Sequence, residues 1–225
     1  KRGWHYRLQR PSGRIPRMLT KNLFTDSTLW LETIAIENGA PALLPLHLAR
    51  IQRTQQEIWG QNFINTLPLL KPPSALKDYP LIKCRLFYAQ AIEKIEYSIY
   101  TPRLITALHL VEASHLDYHL KSANRTALMA LTQKFGPKED ILITTEGFLR
   151  DTSFSNIVLF DGFSYYTPKN PLLKGVQRQN LLAQNLIKEK TIHQKDLPHF
   201  HKIYLINALL NWQRKLSLPI CAIHH

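Results

Sequence analysis

The chain has 225 residues, 44% of them hydrophobic and 20% charged, with 29 lysines and arginines against 16 acidic residues and a formal charge of +13. This composition excludes a disordered or fibrous chain and suits a globular protein of one or two domains. No run reaches the roughly eighteen apolar residues of a membrane span and no apolar secretory stretch is visible, so a cytoplasmic protein with no membrane partner is expected. Cys84 and Cys221 are too few for a disulfide framework and read as small buried hydrophobes.

Residues 1–17 carry six of the basic residues, no acid and two prolines, without an amphipathic period, and Met18 follows them like a natural start. We read 1–17 as a basic leader that is not native to the folded unit; the competing reading is an arm for nucleic acid or an acidic surface. From Met18 onward 23 bases face 16 acids, an excess that suits attraction of anionic small molecules rather than nucleic acid. Leu29 to Glu37 reads as a strand by its β-branched and aromatic content, closed by the turn pair Asn38-Gly39. Pro45 to Trp59 reads as a helix, with Leu48, Ile51, Gln55 and Ile58 at helical spacing and proline in the first turn. Thr66 to Pro80, with four prolines, is a loop. Leu81 to Tyr88 and Ile95 to Tyr100 read as a hairpin in the same sheet, which completes a small α+β domain over 18–104.

A second domain is expected over 105–225. Ala107 to Val111 reads as a strand and Ser122 to Phe135 as a helix stopped by Gly136-Pro137. Strands follow at Ile141 to Thr145, Asn156 to Phe160 and Phe163 to Thr167, then a helix from Val176 to about Lys188 and a last buried strand from Lys202 to Asn207. The alternation predicts an α+β or α/β fold without the regular beat of a doubly wound sheet.

Three segments carry chemistry. Lys121 lies in His119-Leu-Lys-Ser-Ala-Asn-Arg125, Asp151 in Arg150-Asp-Thr-Ser-Phe-Ser-Asn-Ile157, and Gly175 in Leu173-Lys-Gly-Val-Gln-Arg178. An amine, a carboxylate and a glycine turn opening a helix arrive in that order, and a helix start with free backbone N–H groups is a ready phosphate site. His115 and His119 have the spacing of a metal pair on a helix, but the His-Glu-x-x-His pattern and a third ligand are missing, so no metal is expected. Dinucleotide, P-loop and Gly-x-Ser-x-Gly motifs are absent too.

From about Leu29 to Asn211 the ordered motifs resemble the class IV aminotransferases, the fold type IV pyridoxal-phosphate enzymes that include branched-chain and D-amino acid aminotransferases and aminodeoxychorismate lyase. The resemblance implies a two-domain fold like that of D-amino acid aminotransferase, a homodimer and a pyridoxal 5'-phosphate cofactor acting on a small-molecule amino substrate. It implies Lys121 as Schiff-base lysine and proton carrier, and Asp151, where better-known members have glutamate, as the acid beside the ring nitrogen. Arg50, in His47-Leu-Ala-Arg50, resembles the phosphate-binding arginine, joined by the backbone of Gly175, Val176 and Gln177. Leu173 is placed against the cofactor ring, and Asn207 and Ala208 near the phosphate. Glu32, Arg85 and Tyr118 fall in segments that border the substrate in the family, Arg85 as a carboxylate partner. Asn124-Arg125 and Asn207-Ala208-Leu209 lean to the lyase branch, whereas the shortened chain leaves transamination and lyase chemistry both open. The rival expectation is a catalytically degenerate fold type IV protein that acts as a binding module, for nucleic acid through residues 1–17.

Overall fold

Alternation of apolar side chains in the first half of the chain produces one sheet and one helix, seen in a computed structural model that describes residues 28–224. The basic leader 1–17 and Met18 lie outside the described residues. Strands β1 (Trp30–Glu37), β2 (Ala40–Pro41), β3 (Leu81–Tyr88) and β4 (Ile92–Ile99) form an antiparallel sheet in the order β2-β1-β3-β4. Helix α1 (Leu44–Trp59) has proline in its first turn and ends at Gly60, whose φ of 71° is open to glycine at little cost. Ile34 and Ile36 of β1, Ile82, Cys84, Leu86 and Tyr88 of β3, and Ile51 of α1 form a buried core between sheet and helix. Each large aliphatic side chain buried there stabilises the fold by about 1.5–3 kcal/mol. The alternate positions Thr33, Lys83 and Arg85 belong to the opposite face, which is left for the site.

The second half holds two facing sheets. In the first, β5 (Ala107–Glu112) runs parallel to β6 (Glu139–Thr145), β6 pairs antiparallel with β7 (Phe148–Thr152), and β13 (Ile223–His224) lies at the edge beside β5. In the second, β8 (Asn156–Phe160), β9 (Tyr165–Pro168), β10 (Lys188–Lys190), β11 (Lys202–Ile206) and β12 (Leu216–Pro219) take the order β10-β9-β8-β11-β12. Leu108, Leu142 and Leu149 from one sheet meet Ile157, Leu159, Ile203 and Leu205 from the other in a shared core. Helix α2 (Thr126–Ala130) covers the outer face of the first sheet through Leu128 on Ile141 and Ile143. Helix α3 (Val176–Ala183) covers the second through Leu181 on Val158 and Ile206. The fold is α+β, with mixed sheets and few helices, as the sequence predicts.

Three of the departures from the predicted elements have a clear tertiary reason. The helix predicted from Ser122 to Phe135 shrinks to α2, because residues 121–123 are held extended along β1: Leu31 N donates to Lys121 O at 2.9 Å and Ala123 N to Leu29 O at 2.8 Å. The helix predicted to reach about Lys188 ends at Ala183, since Asn185 takes a φ of 57° and Leu186 N bonds back to Leu181 O, a Schellman closure. β7, where no strand is predicted, forms because Glu146 and Gly147, with φ of 53° and 77°, make a two-residue hairpin turn after β6.

Candidate active site

The open faces of β1 and β3, the extended segment before α2, and the turn between β7 and β8 enclose a cleft of about 650 Å³. Lys121 is on its wall. The backbone bonds that hold residues 121–123 beside β1 fix where its amine stands, and it is half-buried. Burial pushes the Lys121 amine down to about 7, with Arg50 and then Arg125 adding to the effect and Glu32 opposing it. An amine lowered this far is neutral in a large fraction at neutral pH, so it can act as nucleophile and as base.

Asp151 is on the floor of the same cleft and is 4% exposed. On β7, Leu149 and Asp151 share the inward side, while Arg150 turns outward to donate to Asn170 O. The Asp151 carboxylate accepts from Asn156 Nδ2 and from the Leu173 amide, each at 2.8 Å. Burial raises it to about 6; those two donors and a more distant Arg178 oppose the rise without cancelling it. Asn156 spends its second hydrogen on Leu173 O, also at 2.8 Å. Leu173 therefore contributes its backbone amide and carbonyl to the site. Gly175 has an ordinary extended φ of −69°, so its need for glycine lies in space: a Cβ there would stand 1.9 Å from Asn156 Oδ1. The α3 helix begins directly after it with no side-chain cap, and Val176 and Gln177 are buried. Gly175 and Val176 line the cleft, and Gln177 does not.

Arg50 also lines the cleft, reaching it from α1. Glu32 does not line it. On β1 the odd-numbered Leu31 and Thr33 face the cleft, so Glu32 points to the other side, where it is fully buried and takes Arg50 Nε at 2.7 Å and Nη2 at 2.5 Å. His47 Nδ1 completes the group at 2.5 Å from Glu32. Burial pushes Glu32 up, but Arg50 and His47 prevail and hold it at about 2. The substrate role expected of Glu32 is therefore replaced by a bidentate grip that leaves the remaining guanidinium edge of Arg50 for the cleft, a consequence of strand parity.

Tyr118, Asn207 and Ala208 line the cleft as well. Tyr118 donates to Ser122 O at 3.0 Å. Asn207 Oδ1 accepts from the Leu209 and Leu210 amides, closing the turn that presents Ala208. Arg85 lies at the rim with its guanidinium bound to Glu96 at 2.5 Å. Arg178, read as structural, is buried away from the cleft on Pro168 O and Glu189. His119 pairs with Asp117 and Glu57 in non-helical backbone. Among the described residues no group of three or more metal-ligating side chains assembles, and no helix is long and apolar enough to cross a membrane.

Asn156, Arg103, Arg125 and Phe154 also line the cleft, Asn156 and Arg125 having entered the sequence reading only as members of motifs. Asn156 had a signal in the Asp-x4-Asn spacing across a turn. Arg103 had none, because it lies in the irregular segment between β4 and β5.

A family profile described as amino-transferase class IV matches residues 82–217. An uncharacterized protein of Haemophilus influenzae is 33% identical over 181 residues, 79% of this chain and 96% of the relative. A candidate 4-amino-4-deoxychorismate lyase from Haemophilus somnus 129PT superimposes with a TM-score of 0.71 at 27% identity, covering 84% of this chain and all of the other. A hypothetical aminotransferase from Mycobacterium tuberculosis, in a PLP-bound form, superimposes with a TM-score of 0.63 at 14% identity, covering 84% of this chain and 80% of its own.

Proposed function

This chain belongs to the class IV aminotransferases, pyridoxal-phosphate enzymes of fold type IV, and from that premise we propose that it converts a small amino substrate through Lys121. The reaction is either amino-group transfer or a release of product like that of 4-amino-4-deoxychorismate lyase. One observation carries the reading: a lysine lowered to about 7 and a buried carboxylate raised to about 6 line one cleft.

The residues fit the cofactor. Asp151 is buried with neutral donors on its oxygens and no ion pair among the described residues, a setting that a protonated pyridine nitrogen completes. The α3 N-terminus, opening at a glycine and lacking a side-chain cap, offers amides to a phosphate. When bound, pyridoxal phosphate supplies an aldehyde for a primary amine and a ring that accepts electrons from the substrate carbon. Lys121 Nζ would be the amine that binds the aldehyde and, when free, the base that takes a proton from the substrate Cα and returns it. Asp151, its oxygens fixed by Asn156 and Leu173, would keep a proton at the ring nitrogen. Arg50, set by Glu32, and the amides of Val176 and Gln177 hold the phosphate. Leu173 would pack on the ring, and Ala208 would border the phosphate. We read the enzyme as a cytoplasmic homodimer, with 18–104 and 105–225 as its two domains.

Purified protein mixed with pyridoxal phosphate is expected to give a band near the violet that disappears on borohydride reduction and does not form in Lys121→Ala. Pyruvate released from aminodeoxychorismate supports the lyase; amino transfer between an amino acid and 2-oxoglutarate supports the transferase. A protein that stays colourless with added cofactor overturns the enzyme reading and leaves the binding module.

A further inference from the structure

A second pocket, of about 260 Å³, lies on the other side of β7 from Asp151. Strand alternation puts it there: Leu149 and Asp151 face inward, so Phe148 and Arg150 face out. Its walls are the β6–β7 turn with Thr145 and Glu146, the end of β9 and the chain leaving it (Pro168, Lys169, Asn170), and Thr191-Ile192. The last segment is fixed along β7 by Leu149 N donating to Ile192 O at 2.8 Å. None of these residues lines the cleft, so the pocket stands whether or not the cleft takes the cofactor.

Arg150 is half-buried and donates from Nη1 to Asn170 O. Its Nε is buried with no hydrogen-bond partner among the described residues. Neither Arg150 nor Lys169 has an ion pair among the described residues. The guanidinium edge that carries Nε and Nη2 is a side-on fork for two oxygens of one oxyanion, and a buried N–H without an acceptor is unfavourable until one arrives. Lys169 brings a second, exposed cation to the same wall, and Thr145 and Thr191 bring hydroxyls. Glu146 is the one acid in the lining. It is exposed and makes no ion pair with Arg150, so it weakens the positive field of the pocket without occupying the fork.

We infer that this pocket binds a small oxyanion, a phosphate or a carboxylate, on the Nε edge of Arg150 with Lys169 as the second charge. The site is separate from the start of α3, where Gly175 and Val176 open into the cleft. Arg150 precedes Asp151 on β7, and Asn170 lies three residues before Leu173, whose amide donates to Asp151. An anion on Arg150 therefore braces, from behind, the two segments that fix the buried acid of the cleft.

The test is a calorimetric titration with inorganic phosphate and, separately, with acetate, on protein with and without pyridoxal phosphate, at constant ionic strength so that general screening is the same throughout. A saturable site with a Kd of about 1 mM is expected. Arg150→Gln weakens it about tenfold, and Arg150→Lys, which keeps the charge and loses the fork, recovers only part. Lys169→Gln weakens it about threefold and Glu146→Gln strengthens it by about as much. Tighter phosphate marks a phosphoryl group as the occupant and tighter acetate a carboxylate; both support the site. No saturation by either anion, an affinity unchanged in Arg150→Gln, or binding that disappears once pyridoxal phosphate fills the cleft overturns it. Thermal melts show whether Arg150→Gln keeps its fold. If it does not, the exposed pair Lys169→Gln and Glu146→Gln decides: opposite effects support the site, and equal or absent effects overturn it.

Discussion

Glu32 and Asp151 are both buried carboxylates, 0% and 4% exposed, one behind the cleft wall and one on its floor. Glu32 is held at about 2 and Asp151 is raised to about 6. Burial pushes both upward, so the difference lies in what faces the oxygens. Glu32 has the Arg50 fork and His47, and its charge is complete within the chain. Asp151 has an amide and a side-chain carboxamide, which orient the carboxylate without neutralising it. A carboxylate with its cation built in is part of the scaffold; one with only neutral donors is ready for a cation that arrives with a ligand.

The contrast breaks first at Glu32. Glu32→Gln leaves Arg50 buried without its counter-charge and is expected to cost about 3–5 kcal/mol of stability, read by chemical denaturation, with weaker retention of cofactor phosphate and an unchanged KM for the amino substrate. Undiminished stability with a raised KM would instead return Glu32 to the substrate role that its place in the sequence suggested. The pH profile separates the two sites further. Glu32, lowered from 4.5, contributes stability above pH 4.5 that is lost as pH falls toward about 2. Asp151, raised from 3.8, acts in the opposite sense: its contribution is fully present below pH 3.8 and is lost as pH rises through about 6. Cofactor-free protein should therefore lose up to about 3 kcal/mol across that window relative to Asp151→Asn. The slope is the readout, since the carboxamide also leaves one donor of Asn156 or Leu173 unmatched at every pH. Parallel profiles for wild type and variant would show that Asp151 is not held near neutrality.

The sequence made the elements legible where one periodicity decides them. β1, α1 and β3 carry their own alternation or helical stripe and end where Asn38-Gly39 and Gly60 end them. Lys121, Asp151, Gly175 and Arg50 could be placed in one cleft because their motifs keep a fixed order along the chain. What was not legible depends on contacts between distant segments. Residues 121–123 look helical, but their backbone groups are spent on β1. Glu146-Gly147 does the work of an Asn-Gly hairpin turn with a residue seldom found at positive φ, so β7 was invisible although Asp151 lies on it. The role of Glu32 turned on strand parity, which Leu31 and Thr33 settle only once the cleft is seen. Asn156 and Gly175 form a steric pair across 19 positions of chain, and neither residue type announces the other.

In the proposed function one lysine, Lys121, holds the cofactor. Protein loaded with pyridoxal phosphate, reduced with borohydride, digested and mapped by mass spectrometry should carry a single pyridoxyl-phosphate adduct on Lys121 and none in Lys121→Ala. An adduct on Lys83 or another lysine, or no adduct from protein that shows the violet band, would contradict it.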